Sequence, residues 1–244
     1  MKIIPAVDIK GGRCVRLSQG MADHETVYSD DPVAVACQWD EEGASLIHVV
    51  DLDGAFEGQP VNTEIVKKII YNSSVDIQIG GGIRSLKAIE TYINAGAYRV
   101  ILGTVAQKDP EFVAKACKEF PEKIIVGIDA RNGNVAIKGW VEVSDQRAAD
   151  LAKNLEPCGV SGYIFTDISC DGMLQGPNLK SIKEFSDSTN LPVIASGGVS
   201  KIKDIEGLMK LEPNGVEGII IGKALYDKSF TYPETLEWLD RYAG

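Results

Sequence analysis

Cysteine pairs, long apolar runs and an excess of positive charge are all missing from this 244-residue sequence, and each absence closes a class of function. The five cysteines, Cys14, Cys37, Cys117, Cys158 and Cys170, show no CxxC spacing and are odd in number. That pattern fits reduced thiols in the cytoplasm and argues against a disulfide framework or a zinc site. No apolar run approaches the ~18 residues of a membrane-spanning helix. The opening MKIIPAVDIKGG lacks the basic, apolar and small-residue segments of a secretion signal. Lys and Arg number 25 against 35 Asp and Glu, a formal net charge of −10. Such a field repels nucleic acid and anionic membranes, so any phosphate must be held by local features.

What is present is a regular alternation. Short runs rich in Val and Ile recur at Ile3–Val7, Leu46–Val50, Ile77–Ile79, Val100–Leu102, Ile124–Ile128, Tyr163–Phe165, Val193–Ala195 and Ile219–Ile221. Near-continuous apolar runs of this length are how strands covered on both faces read in a parallel sheet. Between them lie segments of helical spacing, at Pro32–Glu42, Asn62–Ile70, Leu86–Ala95, Pro110–Phe120, Ala148–Leu155, Asn178–Ser186 and Ile202–Leu211, with Pro233–Tyr242 at the end. Eight βα units with no linker or shift in composition predict an α/β fold, a single-domain (β/α)8 TIM barrel spanning residues 1–244.

The chain also resembles itself. PAVD at Asp8 matches VGID at Asp129, 121 positions on; IQIGG at Gly82 matches IASGG at Gly198, 116 on; VILG at Gly103 matches IIIG at Gly222, 119 on. Two similar half-barrels, approximately 1–122 and 123–244, follow from these near-equal spacings, and whatever one half binds is expected twice.

In such barrels the C-terminal strand ends carry the chemistry. Asp8 and Asp129 each follow a strand directly, and the internal symmetry sets them across the mouth from one another, an arrangement suited to a general acid and a general base. The alternative is that each caps a helix. The paired turns Gly81-Gly82 and Gly103-Thr104, with Gly197-Gly198 and Gly222-Lys223, let backbone N–H groups approach an anion closely. Two opposed phosphate sites flanking an acid–base pair describe a catalyst for a long, bisphosphorylated small molecule. The residues alone do not say what joins the two phosphates.

The stretches IPAVDIKGGRCVRLSQG, LIHVVDLDGAFEG, IQIGGGIRS, VGIDARNGNVAIKGW, FTDISCDGMLQGPN, IASGGVS and GIIIGKALY together resemble the phosphoribosylformimino-aminoimidazole carboxamide ribotide isomerases of histidine biosynthesis, along essentially the whole chain. The resemblance implies an Amadori rearrangement by proton transfer alone, without metal or cofactor. It also implies a cytoplasmic enzyme, monomeric and without an obligate protein partner. It places the base on Asp8, which takes the C2 proton of the opened sugar, and the acid on Asp129, which protonates the ring oxygen. Thr166 would hydrogen-bond the reacting sugar, and Asp171 is an alternative acid if its loop folds over the substrate. Trp140 would stack on the imidazole, Arg84 would pair with a phosphate, and Gly176 belongs to the binding loop. Gly11, Gly12 and Gly20 would permit hinge motion after strand one, and His48 reads as a satisfied core histidine.

The sequence departs from the family in one loop. Cys170 stands where a basic residue is usual and Met173 where Thr is common, so loop closure there is expected to be altered and to lack a phosphate contact. Two neighbouring functions remain as alternatives: a dual-substrate isomerase that also accepts phosphoribosylanthranilate, and the sister cyclase, a lyase. The cyclase is disfavoured because it typically reads CLDV at strand one, where this chain has AVD.

Overall fold

The computed structural model describes residues 1–17, 24–137, 140 and 142–243. Eight parallel strands form the centre: β1 (Lys2–Lys10), β2 (Leu46–Asp51), β3 (Asp76–Gly80), β4 (Arg99–Leu102), β5 (Ile124–Arg131), β6 (Tyr163–Asp167), β7 (Val193–Ser196) and β8 (Val216–Ile221). Each pairs with its neighbour in sequence, β8 pairs with β1, and pairing of β5 with β6 completes the ring. The result is a closed (β/α)8 barrel with every expected strand inside an observed one.

Alternation along each strand builds two layers. In β1, Ile3, Val7 and Ile9 face outward into the shell between strands and helices. Ile4 and Ala6 face inward, where they join Leu46, Ile101, Ile125, Ile164, Ile194 and Ile220 in a separate apolar plug that fills the barrel. β-branched residues stack well at such inward positions, so the barrel is solid below its mouth. The helices start on local signals. Asp31 caps Pro32–Glu41 by accepting from the amides of Val33 and Ala34, and Ser85, Asp109 and Asn178 cap Leu86–Asn94, Pro110–Glu119 and Leu179–Ser186 in the same way.

Four strands lie beyond the expected eight. Arg13–Leu17 and Glu25–Ser29 extend β1 into an antiparallel ribbon, and Asn134–Ile137 and Glu142–Arg147 do the same for β5. Both turns are two residues long with left-handed backbone, Gly11-Gly12 (φ 56° and 76°) and Asn132-Gly133 (φ 54° and 78°), the geometry that matches strand twist in tight hairpins. Gly20, expected as a third hinge glycine, lies outside the described residues. Short helices at Leu52–Glu57, Thr104–Lys108 and Lys223–Tyr226 also go beyond the expected set. Among the described residues no helix is long and apolar enough to cross a membrane.

The loops at the mouth are held by two matching clamps. Asp51, fully buried at the end of β2, accepts from the amides of Gly54, Val61 and Asn62 and from the Asn62 side chain at 2.7–2.9 Å. At the end of β6, 116 positions on, Asp167 accepts from Ser169 and from the side-chain amide of Asn178, again 116 on from Asn62. Removing the first carboxylate strands two buried backbone donors, a part-buried third at Val61 and the buried Asn62 amide, and a buried donor costs about 1–3 kcal/mol when unsatisfied. Asp51→Ala is therefore expected to destabilise the fold by about 3–5 kcal/mol, seen as a lower urea midpoint with an unchanged slope.

Candidate active site

The barrel mouth opens into a cavity of about 280 Å³ lined by Asp8 of β1, Asp129 of β5, Thr166 of β6 and Asp171 of the loop after β6 and, on its floor, by Ala6, His48 and Ile164. Asp8 ends the inward row of β1 and Asp129 that of β5, and in a closed ring of eight these strands stand opposite. The two carboxylates face the same space from opposite walls.

Each carboxylate receives a donor from the ribbon that follows its own strand. Arg16 Nη1 donates to Asp8 Oδ2 at 2.8 Å, both side chains being about seven-eighths buried at 13% and 14% exposure. Trp140 Nε1 donates to Asp129 Oδ2 at 2.8 Å, and Thr166, next to Asp129 in register, adds a second hydrogen bond. Burial raises both carboxyls above the usual Asp range. For Asp8 the Arg16 cation opposes that rise, whereas for Asp129 the opposition comes from the neutral Trp140 and Thr166 donors. Asp171 is pushed up to about 6, first by burial and then by the negative charges of Asp8 and Asp129, with Arg16 pulling against them.

The glycine turns lie on the two flanks. Gly81, Gly82, Arg84, Gly103 and Thr104 border the main cavity on one side. Gly197, Gly198, Gly222 and Lys223 form a smaller recess of about 20 Å³ on the other, with Arg16 and Asp171 between the two spaces. Gly81 and Gly82 have left-handed backbone (φ 109° and 70°), and a Cβ on Gly81 would sit 2.1 Å from the Asp51 carbonyl oxygen. The turn thus needs glycine to pack on the Asp51 clamp as well as to expose its amides. Arg84 lies over Gly58, where a Cβ would come within 2.4 Å of Nη1. Lys223 Nζ donates to the Gly172 carbonyl at 3.3 Å, tying the β8 turn to the Asp171 loop.

Gly176 borders neither space, and its N–H is spent on the Gly198 carbonyl at 3.0 Å. Cys170 packs against Gly198 and lies 3.7 Å from the Ser169 hydroxyl, while Met173 is exposed. The functional residue missed from sequence is Arg16. Its signal was the GG turn, which folds Arg13–Leu17 back along β1 and sets Val15 opposite Asp8. His48 is engaged at Nδ1 by Gln78 at 3.0 Å, and burial together with the Arg16 and Arg99 cations pushes it down to about 3. It is neutral throughout the physiological range.

This fold and this mouth define a (β/α)8-barrel enzyme. More particularly, the chain belongs to the histidine biosynthesis protein family, whose description matches residues 2–231. Relatives align end to end. Those from Trichlorobacter lovleyi (51% identical, covering 99% of this chain and 98% of the relative), Geotalea daltonii (50%, all of both chains) and Desulfatibacillum aliphaticivorans (52%, 98% of both) each carry the name 1-(5-phosphoribosyl)-5-((5-phosphoribosylamino)methylideneamino) imidazole-4-carboxamide isomerase.

The Asp171 carboxyl has a folded-state value near 6 against 3.8 when free. A raised acid favours the folded state while protonated, so its contribution is complete below pH ~3.8 and is lost as pH rises through about 6. Asp171→Asn is expected to stabilise the protein by about 1–3 kcal/mol at pH 8 and to give no gain at pH 4, measured by urea unfolding at both values.

Proposed function

We propose that the chain isomerises the substrate in its relatives' name, the imidazole carboxamide that carries two phosphoribosyl groups, by an Amadori rearrangement, with Asp129 as acid and Asp8 as base. The observation that carries this reading is the pair of buried, facing carboxylates of which only Asp8 has a cation beside it. Arg16 favours the ionised form of Asp8, as a base requires. Asp129, held by neutral donors, is raised by burial and keeps a proton more readily, as an acid requires.

Asp129 gives its proton to the ring oxygen as the C1–O bond of the aminoaldose breaks, and the nitrogen lone pair completes a protonated imine. Asp8 then takes the C2 proton, and the electron pair of that bond neutralises the imine to an enaminol. Proton return at C1 with loss of the C2 hydroxyl proton yields the aminoketose. The proton count balances without any other reactant. Trp140, bonded to Asp129, would place its ring beside the substrate's imidazole. Thr166 would hold the sugar, and Arg84 with the Gly81-Gly82 and Gly103-Thr104 turns would take one phosphate, Gly197-Gly198, Gly222 and Lys223 the other.

We read the chain as one barrel domain of two similar halves, working as a cytoplasmic monomer. The clamps repeated at Asp51 and Asp167 support the duplication, and the presence of every proposed group on one chain supports the monomer.

Asp8→Asn and Asp129→Asn are each expected to lower turnover of the imidazole bisphosphate by about 10²–10⁴-fold with KM little changed, in a coupled spectrophotometric assay. Asp171→Asn should retain most activity. Full activity in Asp129→Asn with loss in Asp171→Asn would move the acid to the loop, and an inert wild type would overturn the reading itself.

A further inference from the structure

Below the carboxylates a chain of polar side chains crosses an otherwise apolar barrel. Glu217 of β8 lies 3.8 Å from Arg99 of β4, Arg99 Nε donates to Gln78 Oε1 of β3 at 2.9 Å, and the Gln78 amide nitrogen stands 3.0 Å from His48 Nδ1 on β2. Arg99 and Gln78 are almost completely buried. A barrel filled by Ile and Leu at the same level needs no such groups, and a buried guanidinium is costly to keep.

The hydrogen-bond inventory fixes the direction of the chain. A guanidinium only donates, so the atom facing Arg99 must be the Gln78 carbonyl oxygen, and the NH2 therefore faces His48. An NH2 group also only donates, so Nδ1 must accept. The imidazole proton is thereby confined to Nε2. His48 borders the catalytic cavity, one inward position below the ring of residues that holds Asp8, since His48 pairs with Ala6 where Val50 pairs with Asp8. Its Nε2–H finds no acceptor among the described residues, and the walls beside it, Ala6, Ile101, Ile164 and Ile220, offer none.

We propose that His48 donates its Nε2–H as a neutral hydrogen bond to an oxygen of the opened sugar, and that Arg99 and Gln78 are positioning residues that hold it in the donor tautomer. The inference rests on the isomerase reading, which supplies a polyhydroxyl sugar at this depth. Neutrality matters to the role. An imidazolium would compete with Asp129 as a proton source and would sit beside two arginines, whereas neutral imidazole orients the sugar for proton removal by Asp8 without losing a proton itself. The same group explains why the relay is not apolar: filling it with aliphatic side chains would free the ring to rotate or change tautomer.

The chain has two histidines, so a ¹⁵N-labelled imidazole spectrum is readily assigned with His24→Asn. In the wild type His48 is expected as the Nε2–H tautomer from pH 5 to 8, with Hε2 shifting when the aminoketose product is added. An Nδ1–H tautomer, titration near neutrality or an Hε2 unmoved by product would overturn the proposal. In kinetics His48→Leu should lower kcat/KM about 10–100-fold, the effect of one lost hydrogen bond in a desolvated site, while His48→Gln, which returns an N–H near the Nε2 position, restores most of it. Gln78→Glu presents only acceptors, so it should move the proton to Nδ1 and lower kcat/KM comparably while circular dichroism shows an intact fold. Wild-type kcat/KM in a folded His48→Leu would sink the inference and leave the isomerase reading standing, whereas an inert wild type sinks the latter first.

Discussion

Pairing of β5 with β6 closes the sheet, and the geometry of the site follows from that closure. An open sheet of the same eight strands would leave two edges and spread β1 and β5 along one surface. Once the ring is shut, strands four apart stand opposite, and the inward row of each strand faces its counterpart across the enclosed space. The inward positions then divide by height. Low in the barrel most are Ile and Leu, which close-pack around the buried Gln78 and Arg99; at the mouth they are Asp8, Asp129 and Thr166, which cannot. Closure thus makes the solid plug and also forces the carboxylates out of water.

Forcing carboxylates out of water sets the electrostatics of everything near them. Burial is the largest influence on Asp8, Asp129 and Asp171 alike, and in each case it favours the proton. What separates the three is the company each keeps. Arg16 touches Asp8 directly and acts on Asp171 from a distance, while Asp129 is met only by neutral donors. One cation placed asymmetrically gives the two facing carboxylates different company, a guanidinium for Asp8 and neutral donors for Asp129. The closed ring supplies opposed positions, and the two ribbons set Arg16 beside one carboxylate and Trp140 beside the other.

The barrel strands were legible because burial on both faces leaves an unambiguous run of Val and Ile, and helix limits agreed within one or two residues where Asp31, Ser85 and Asp109 cap them. The ribbons were not read, although Asn132-Gly133 is a strong hairpin signal, because Arg13–Leu17 and Glu142–Arg147 carry charge where the barrel strands carry Ile, and the second is largely exposed. That omission hid Arg16, whose role depends on a turn reversing the chain within two residues. His48 illustrates the other limit. Its burial and its bond at Nδ1 fit the core reading, but its second nitrogen borders the cavity, and no local pattern in LIHVV distinguishes those two edges of one ring.

The Asp51 and Asp167 clamps make the unfavourable mouth tolerable. Each anchors the loop that packs under a glycine turn, so close that Gly81 has no room for a Cβ against the Asp51 carbonyl and Gly198 none against that of Gly176. A turn braced in this way is held in one conformation by the fold itself, so its ordering cost is met during folding. The same bracing extends to the electrostatics. Arg16 packs so tightly on Gly222 that a Cβ there would fall 2.1 Å from its Nη2, so the guanidinium that steadies Asp8 is also fixed against the turn on the far flank.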